Sequence, residues 1–203
     1  MIILVAGCPL KNYQFPKDVP LVGVDLGAME LAKRGLKMVA AIGDFDSSDV
    51  YDFDLMDKHA QKIVQLSQTK DLTDLEAAIS HFPEETEFLI YGALCGKRID
   101  HLINQFNIML KFTEKSLIFV DENNEITLLK KGKYTFNKNL NYKYYSFFTF
   151  SKAVITLNDG FKYPVNKQTL LPTNTNYVSN ELNKDEAELE IHEGSVFIIK
   201  SDK

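Results

Sequence analysis

Met38-Val39-Ala40-Ala41-Ile42-Gly43-Asp44-Phe45-Asp46-Ser47 is an apolar run followed at once by two carboxylates one residue apart. An unbroken apolar run this short reads as a strand buried on both faces, the kind a parallel sheet carries. Asp44 and Asp46 then emerge at the carboxyl end of that strand, the edge where open α/β sheets bind ligands. Two anions so close repel unless a cation sits between them. A magnesium ion held by carboxylate oxygens suits the place. The stretch therefore implies an α/β fold and metal-assisted chemistry on phosphate.

The same grammar extends in both directions. Apolar runs at 2–6, 21–24, 62–66, 87–91 and 116–120 read as further strands, and 28–34, 72–81 and 99–112 read as helices. In the last of these Ile99, Leu102, Ile103, Phe106 and Leu110 recur at helical spacing. Alternating strands and helices imply a parallel sheet with helices on both faces, Rossmann-like in plan. Residues 48–60 fit either a polar loop or a short helix. Past Asp121 the segments 125–129, 142–150, 153–157, 161–165, 188–192 and 195–200 are short and rich in aromatic and β-branched residues. Asn158-Asp159-Gly160, Lys131-Gly132 and Glu193-Gly194 read as turns between them. The second part is thus expected to be an all-β sandwich or barrel, giving domains at 1–122 and 123–203.

Composition narrows the function. With 45% hydrophobic and 25% charged residues the chain has the make-up of a globular protein with a core. A net charge of −5 argues against a general nucleic-acid binder, which needs a basic surface. No stretch approaches the ~20 apolar residues that span a bilayer, and the N-terminus lacks the basic lead of a signal peptide, so a cytoplasmic location with no membrane association is expected. Cys8 and Cys95 form no CxxC pair. They are expected to be reduced packing residues rather than a zinc site or a disulfide.

Further carboxylates gather at the same kind of position. Asp25 follows the strand 21–24, with Gly27 opening the next helix; Asp71 and Asp74 lie in Lys70-Asp71-Leu72-Thr73-Asp74; Asp100 lies in Gly96-Lys97-Arg98-Ile99-Asp100-His101. In a parallel sheet, loops after four strands bring these groups to one rim. Each has a plainer reading too: Asp25 as a helix cap, Asp71 with Asp74 as a capping box. Lys97 and Arg98 supply positive charge for phosphate oxygens, Arg98 as a bidentate fork, or form a solvated loop. Later, Tyr163 offers a flat face for stacking and Ser179 with Asn180 offers hydrogen bonds; hairpin and core roles compete with that reading.

Taken in order, these segments resemble the thiamine pyrophosphokinase (thiamine diphosphokinase) family. The resemblance rests on Asp25-Leu26-Gly27-Ala28, Gly43-Asp44-Phe45-Asp46-Ser47, Lys70-Asp71-Leu72-Thr73-Asp74, Gly96-Lys97-Arg98-Ile99-Asp100-His101, Gly160-Phe161-Lys162-Tyr163-Pro164 and Ser179-Asn180-Glu181. It implies an α/β catalytic, ATP-binding domain, a β-sandwich that binds thiamine, and a homodimer with active sites at the subunit interface. It also implies transfer of the terminal diphosphate of ATP to thiamine, with Mg²⁺ as cofactor. By the same resemblance Asp44, Asp46 and Asp71 are metal and phosphate-site carboxylates, and Asp25, Asp74 and Asp100 complete the acidic rim. Gly43, Ser47 and Lys97 line the site and Arg98 faces the phosphates. Tyr163 stacks on thiamine while Ser179 and Asn180 bind its pyrimidine from the partner subunit. Leu26 and Lys97 stand where the family pattern has glycines, and Cys95 precedes the turn as an extra residue. Two rivals share the paired aspartates: a D-x-D nucleotide-sugar glycosyltransferase and a non-catalytic nucleotide-binding regulator. Neither needs Tyr163, Ser179 or Asn180.

Overall fold

Ala40–Gly43 forms a strand, β3, with every residue buried, and the two aspartates follow it. The structure is a computed structural model that describes residues 1–9, 13–16, 18–46, 50–67, 69, 71–95, 98–138 and 141–202. Two compact units are distinguished, Met1–Asp121 and Glu122–Lys203.

In the first unit β1 (Ile2–Val5), β2 (Leu21–Val24), β3, β4 (Ile63–Gln65), β5 (Glu87–Tyr91) and β6 (Ser116–Val120) pair in parallel, in the order β6-β5-β1-β2-β3-β4. Ile3 and Val5 join a core with Ala28, Met29 and Leu31 of α1 (Leu26–Lys33) and Met56 of α2 (Val50–His59). Ile2 and Leu4, on the alternate face of the same strand, are also buried. Burial on both faces explains why these strands read as unbroken apolar runs. The chain steps outward from β1 to β4, then returns to the other side of β1 as β5. The switch point of the topology therefore lies between β1 and β5, where α/β sheets open a crevice for ligands.

Four features of this unit differ from the sequence reading or resolve it. The ambiguous stretch 48–60 contains the helix α2. Its period is weak because Asp52, Asp54 and Asp57 interrupt it, and Met56 is the one buried residue among those whose burial is described. The capping box of α3 (Asp74–His81) is built by Thr73 and Glu76, not by Asp71 and Asp74. Thr73 Oγ1 accepts from the Glu76 N–H at 3.3 Å, and Glu76 Oε2 accepts from the Thr73 N–H at 2.9 Å. α4 spans Ile99–Lys111, with Arg98 at its N-cap position and no side-chain cap. Cys8 and Cys95, expected as separate packing thiols, are joined by a disulfide with Cα atoms 5.8 Å apart. The reason is topological: β1 and β5 are parallel neighbours, so residues 87 apart in sequence meet beyond their ends.

The second unit is antiparallel and has no helix among its described residues. β11 (Glu186–Ser201) pairs with β7 (Asn124–Asn137) along one edge; along the other it pairs first with β9 (Ala153–Leu157) and then with β8 (Tyr144–Phe148). The expected turns at Lys131-Gly132 and Glu193-Gly194 are instead inside these two long strands. Ile191 faces Gly132 and Ser195 faces Lys130, so three residues of β11 oppose one of β7 in a bulge. Gly194, at φ 77°, takes the left-handed conformation that the bulge requires. The expected strand 161–165 is a loop held by a single bridge from Phe161 to Leu182, and β10 runs over Val165–Leu170. Its sequence, Val-Asn-Lys-Gln-Thr-Leu, hides it because it pairs only with β9 and is mostly exposed. The fold is thus α/β with mixed pairing: parallel first, antiparallel after.

Burial pushes the Glu76 carboxyl upward, but hydrogen bonds from the Thr73 backbone, Lys111 and the Thr73 hydroxyl outweigh it and hold the group below its usual 4.5. A depressed carboxyl contributes stability above the unfolded value and loses it as pH falls through the folded one. Thr73→Ala is expected to cost about 1 kcal/mol in urea unfolding at pH 7. The gap from wild type should narrow below pH 4.5.

Candidate active site

At the carboxyl ends of β2 and β3 the chain places Asp25 in an unusual backbone geometry, φ 50° and ψ −123°. Asp25 stands at the N-cap position of α1, yet its side chain makes no capping hydrogen bond. The backbone holds it instead: its N–H donates to Ile42 O at 2.9 Å, and its carbonyl accepts from the Ala28 N–H at 2.9 Å. Glycines allow the close approach. A Cβ on Gly27 would lie 1.8 Å from Val5 O, and one on Gly43 would lie 2.9 Å from the Cα of Asp25. Gly43 thereby acts as a packing surface for Asp25.

Asp25 Oδ1 is buried with no hydrogen-bond partner among the described residues. Burial raises its pKa, the Leu26 N–H opposes this in part, and the charges of Asp74, Asp44 and Asp46 add to the rise. The structure thus brings these four carboxylates into one field. Asp44 and Asp46 are aimed by the residue between them. Phe45 takes φ 53°, is 3% exposed, and packs edge-to-face on Phe53 with centroids 5.6 Å apart. With that ring in the core, the carboxylates on either side stay at the surface, Asp46 exposed and Asp44 half-buried.

The remaining first-unit residues are arranged otherwise. Asp71 is exposed just ahead of α3. Asp100 is turned to Arg98 in a bidentate pair, Arg98 Nε to Oδ1 at 2.9 Å and Nη2 to Oδ2 at 2.5 Å. This pair holds the Asp100 carboxyl down at about 2. In this geometry Arg98 serves Asp100 first, and both groups are exposed. Ser47 and Lys97 lie outside the described residues. Among the described residues no group of three or more His, Cys, Asp or Glu side chains forms a ready-made metal cage. No helix among them is long and apolar enough to cross a membrane.

The second unit carries a cavity of about 240 Å³ lined by Phe147, Leu157, Tyr163, Val165, Asn176, Tyr177, Val178 and Asn180. Tyr163 is 58% exposed, with the Lys162 ammonium 5.6 Å from its ring centre. Asn180 is buried and clamps the cavity's rim. Its Oδ1 accepts from the N–H groups of Tyr163 and Glu181, at 3.1 and 2.9 Å, and its Nδ2 donates to Tyr163 O at 3.0 Å. Ser179 takes φ 57° and its N–H donates to Ser146 Oγ; it does not line the cavity. Burial raises the Tyr177 phenol above its ordinary pKa. Phe147 and Leu157 were hidden from sequence reasoning inside strands that look like ordinary core; of the lining residues, Tyr163 and Asn180 are the ones the sequence signalled.

Residues 15–120 match the family model for the thiamin pyrophosphokinase catalytic domain, and residues 133–196 match that for the thiamin pyrophosphokinase vitamin B1 binding domain. The chain belongs to the thiamin pyrophosphokinase family. It is 31% identical over 185 residues to thiamine pyrophosphokinase of Bacillus subtilis strain 168, covering 89% of this chain and 86% of that protein. The crystal structure of the Bacillus subtilis thiamine pyrophosphokinase superposes with a TM-score of 0.88 at 29% identity, covering 100% of this chain and 99% of the other. That of the Geobacillus thermodenitrificans thiamin pyrophosphokinase gives 0.86 at 31% identity, covering 100% and 98%. The matched catalytic region contains the acidic rim, and the matched vitamin B1 binding region contains the cavity.

Asn180→Ala leaves the Tyr163 and Glu181 backbone groups without their partner. The expected loss is about 1–3 kcal/mol of stability, read by denaturant unfolding, with a rise in amide exchange at Tyr163.

Proposed function

We propose that the chain is a thiamine diphosphokinase: it transfers the terminal diphosphate of ATP to the hydroxyethyl oxygen of thiamine, giving thiamine diphosphate and AMP. The observation that carries this reading is the gathering of Asp25, Asp44, Asp46 and Asp74 at one rim, in a chain whose second unit holds an aromatic cavity. In the reaction the thiamine oxygen attacks the β-phosphorus, the bond from that phosphorus to the α,β-bridging oxygen breaks, and AMP leaves. Asp25, whose carboxyl takes up a proton more readily than an ordinary aspartate, is suited to accept the hydroxyl proton. Asp74, in the field of Asp25, and Asp100, held by Arg98, are the carboxylates that would draw in the cationic thiazolium. Arg98 exchanges part of its bond with Asp100 for phosphate oxygens.

The residues fit a divalent ion. They offer hard carboxylate oxygens, and the buried Asp25 Oδ1 lacks a hydrogen bond. Asp44, Asp46 and Asp71 are the carboxylates from which Mg²⁺ would take its protein ligands, with substrate phosphates and waters filling its other positions. When bound, the ion supplies positive charge against the charge that develops on the transferred phosphates. Gly43, Ser47 and Lys97 are assigned to the nucleotide side of the site.

We read the first unit, residues 1–122, as a Rossmann-like ATP-binding domain, supported by its parallel sheet buried on both faces. The second, 123–203, is read as a thiamine-binding β-sandwich, supported by one core drawn from β7, β8, β9, β10 and β11. Tyr163 would stack on thiamine, Asn180 would shape the rim, and Ser179 would offer its hydroxyl to the pyrimidine. The reading includes a homodimer in which the cavity serves the partner's rim, supported by the exposed Ile99 and Ile103 one turn apart on α4. It also includes a cytoplasmic location.

Purified chain with thiamine, ATP and Mg²⁺ is expected to form AMP and thiamine diphosphate in equal amounts. Formation of ADP and thiamine monophosphate instead would refute the reaction. Asp46→Asn should lower kcat by at least tenfold, about 1.4 kcal/mol of barrier, with an unchanged circular dichroism spectrum. Retention of more than about a tenth of wild-type kcat would remove Asp46 from the set of ligands.

A further inference from the structure

In the second unit the segment Asn180-Glu181-Leu182 runs between two others. Tyr145 and Asn180 exchange N–H···O bonds of 2.8 and 3.0 Å, and the Lys162 N–H donates to Glu181 O at 2.9 Å. Each flanking segment carries a lysine followed by a tyrosine, Lys143-Tyr144 on one side and Lys162-Tyr163 on the other. Glu181 reaches both lysines. Its Oε1 accepts from Lys162 Nζ at 2.8 Å, and its Oε2 lies 3.6 Å from Lys143 Nζ. The hydrogen bond from Lys162 foremost, with the charges of both lysines adding to it, holds the Glu181 carboxyl below its usual 4.5.

Each ammonium also meets the ring next to it, and these distances run opposite to the ion pairs. Lys143, the more loosely held, lies 5.0 Å from the centre of the Tyr144 ring; Lys162, tightly held, lies 5.6 Å from that of Tyr163. A cation–π contact reaches out to about 6 Å, so Glu181 keeps Lys162 near the outer limit of attraction. The two rings stand in different places. Tyr163 is exposed and lines the cavity, whereas Tyr144 is half-buried and does not line it. A cation seated on an aromatic face repels a second cation that approaches the same ring. Lys162 is therefore a built-in competitor of any cationic ligand that stacks on Tyr163.

We propose that Glu181 is a positioning residue for the cationic substrate: by restraining Lys162 it leaves the exposed ring of Tyr163 to the thiazolium of thiamine. The inference rests on the diphosphokinase reading above, in which Tyr163 meets thiamine. Glu181 acts through Lys162 and Tyr163, not on the substrate itself. With its charge removed, both ammonium groups lose their counter-charge. Lys162 then moves onto the Tyr163 ring, as Lys143 already does on Tyr144, and the cavity mouth turns against a cation while a neutral ring still enters.

The test compares the full chain with Glu181→Gln, Lys162→Met and the double variant. Steady-state kinetics are run with ATP and Mg²⁺, and calorimetry follows thiamine and a neutral isostere in which a thiophene replaces the thiazolium. Glu181→Gln is expected to raise the KM for thiamine about fivefold, with kcat and the KM for ATP changing less than about twofold. Its affinity for the neutral isostere should stay within about twofold of wild type. Lys162→Met in the Glu181→Gln background should bring the KM for thiamine back to within about twofold of wild type. An unchanged KM in Glu181→Gln overturns the proposal. So does a loss shared by the neutral isostere or persisting in the double variant, since either marks a loosened rim rather than a competing charge. A wild-type chain that neither binds nor converts thiamine sinks the diphosphokinase reading instead. Titration of N-methylpyridinium, a small aromatic cation, against the Tyr163 ring signals in NMR then decides the competition in the same four proteins: binding about fivefold weaker in Glu181→Gln alone supports it, and equal binding in all four overturns it.

Discussion

The close seating of α1 on the ends of β1 and β3 is the constraint from which the site follows. Gly27 lets the helix start against Val5 O, and Gly43 lets Asp25 lie against β3. Together they leave room for a backbone turn at φ 50°, ψ −123° that points a carboxylate away from its usual capping role. A buried carboxylate oxygen without a hydrogen bond, in the field of Asp44, Asp46 and Asp74, costs stability. Such strain and desolvation collect where a ligand repays them. Phe45 completes the arrangement by anchoring the second loop, so that hydrophobic packing sets the direction of two charges.

The second unit solves a different problem with different means. One core joins Phe136, Tyr145, Phe147, Phe161 and Leu189, and its aromatic rings meet edge to face. At its margin the strand pattern gives way to a loop, and Asn180 replaces the missing ladder bonds with three side-chain bonds. The result is an apolar hollow with a fixed polar edge, suited to a flat ring carrying hydrogen-bonding groups. An acidic rim and an aromatic hollow are what a reaction between a nucleotide and a cationic heterocycle requires.

Much of this was written locally. The first unit's inner strands β1, β2 and β3 announce themselves because burial on both faces leaves no polar residue in them, and the rim follows once the sheet is parallel. Asp44 and Asp46 were readable for that reason. What sequence spacing missed depends on competition or distance. Thr73 outcompetes Asp71 as a cap because its hydroxyl and Glu76 satisfy each other three residues apart. β10 pairs only with β9 and carries no alternation, so it leaves no period to find. The turns read at Gly132 and Gly194 are a bulge, because a glycine marks a bend without saying whether the chain reverses. The disulfide joins residues far apart in sequence that only the strand order makes neighbours.

The electrostatics of the rim make a demand of their own: a cluster of carboxylates repels a polyphosphate unless a divalent cation accompanies it. Titration calorimetry of ATP into the protein, once with Mg²⁺ and once with EDTA, weighs that demand without involving turnover. The rim described here predicts binding at least tenfold tighter with Mg²⁺, about 1.4 kcal/mol. Equal affinity in EDTA would contradict it.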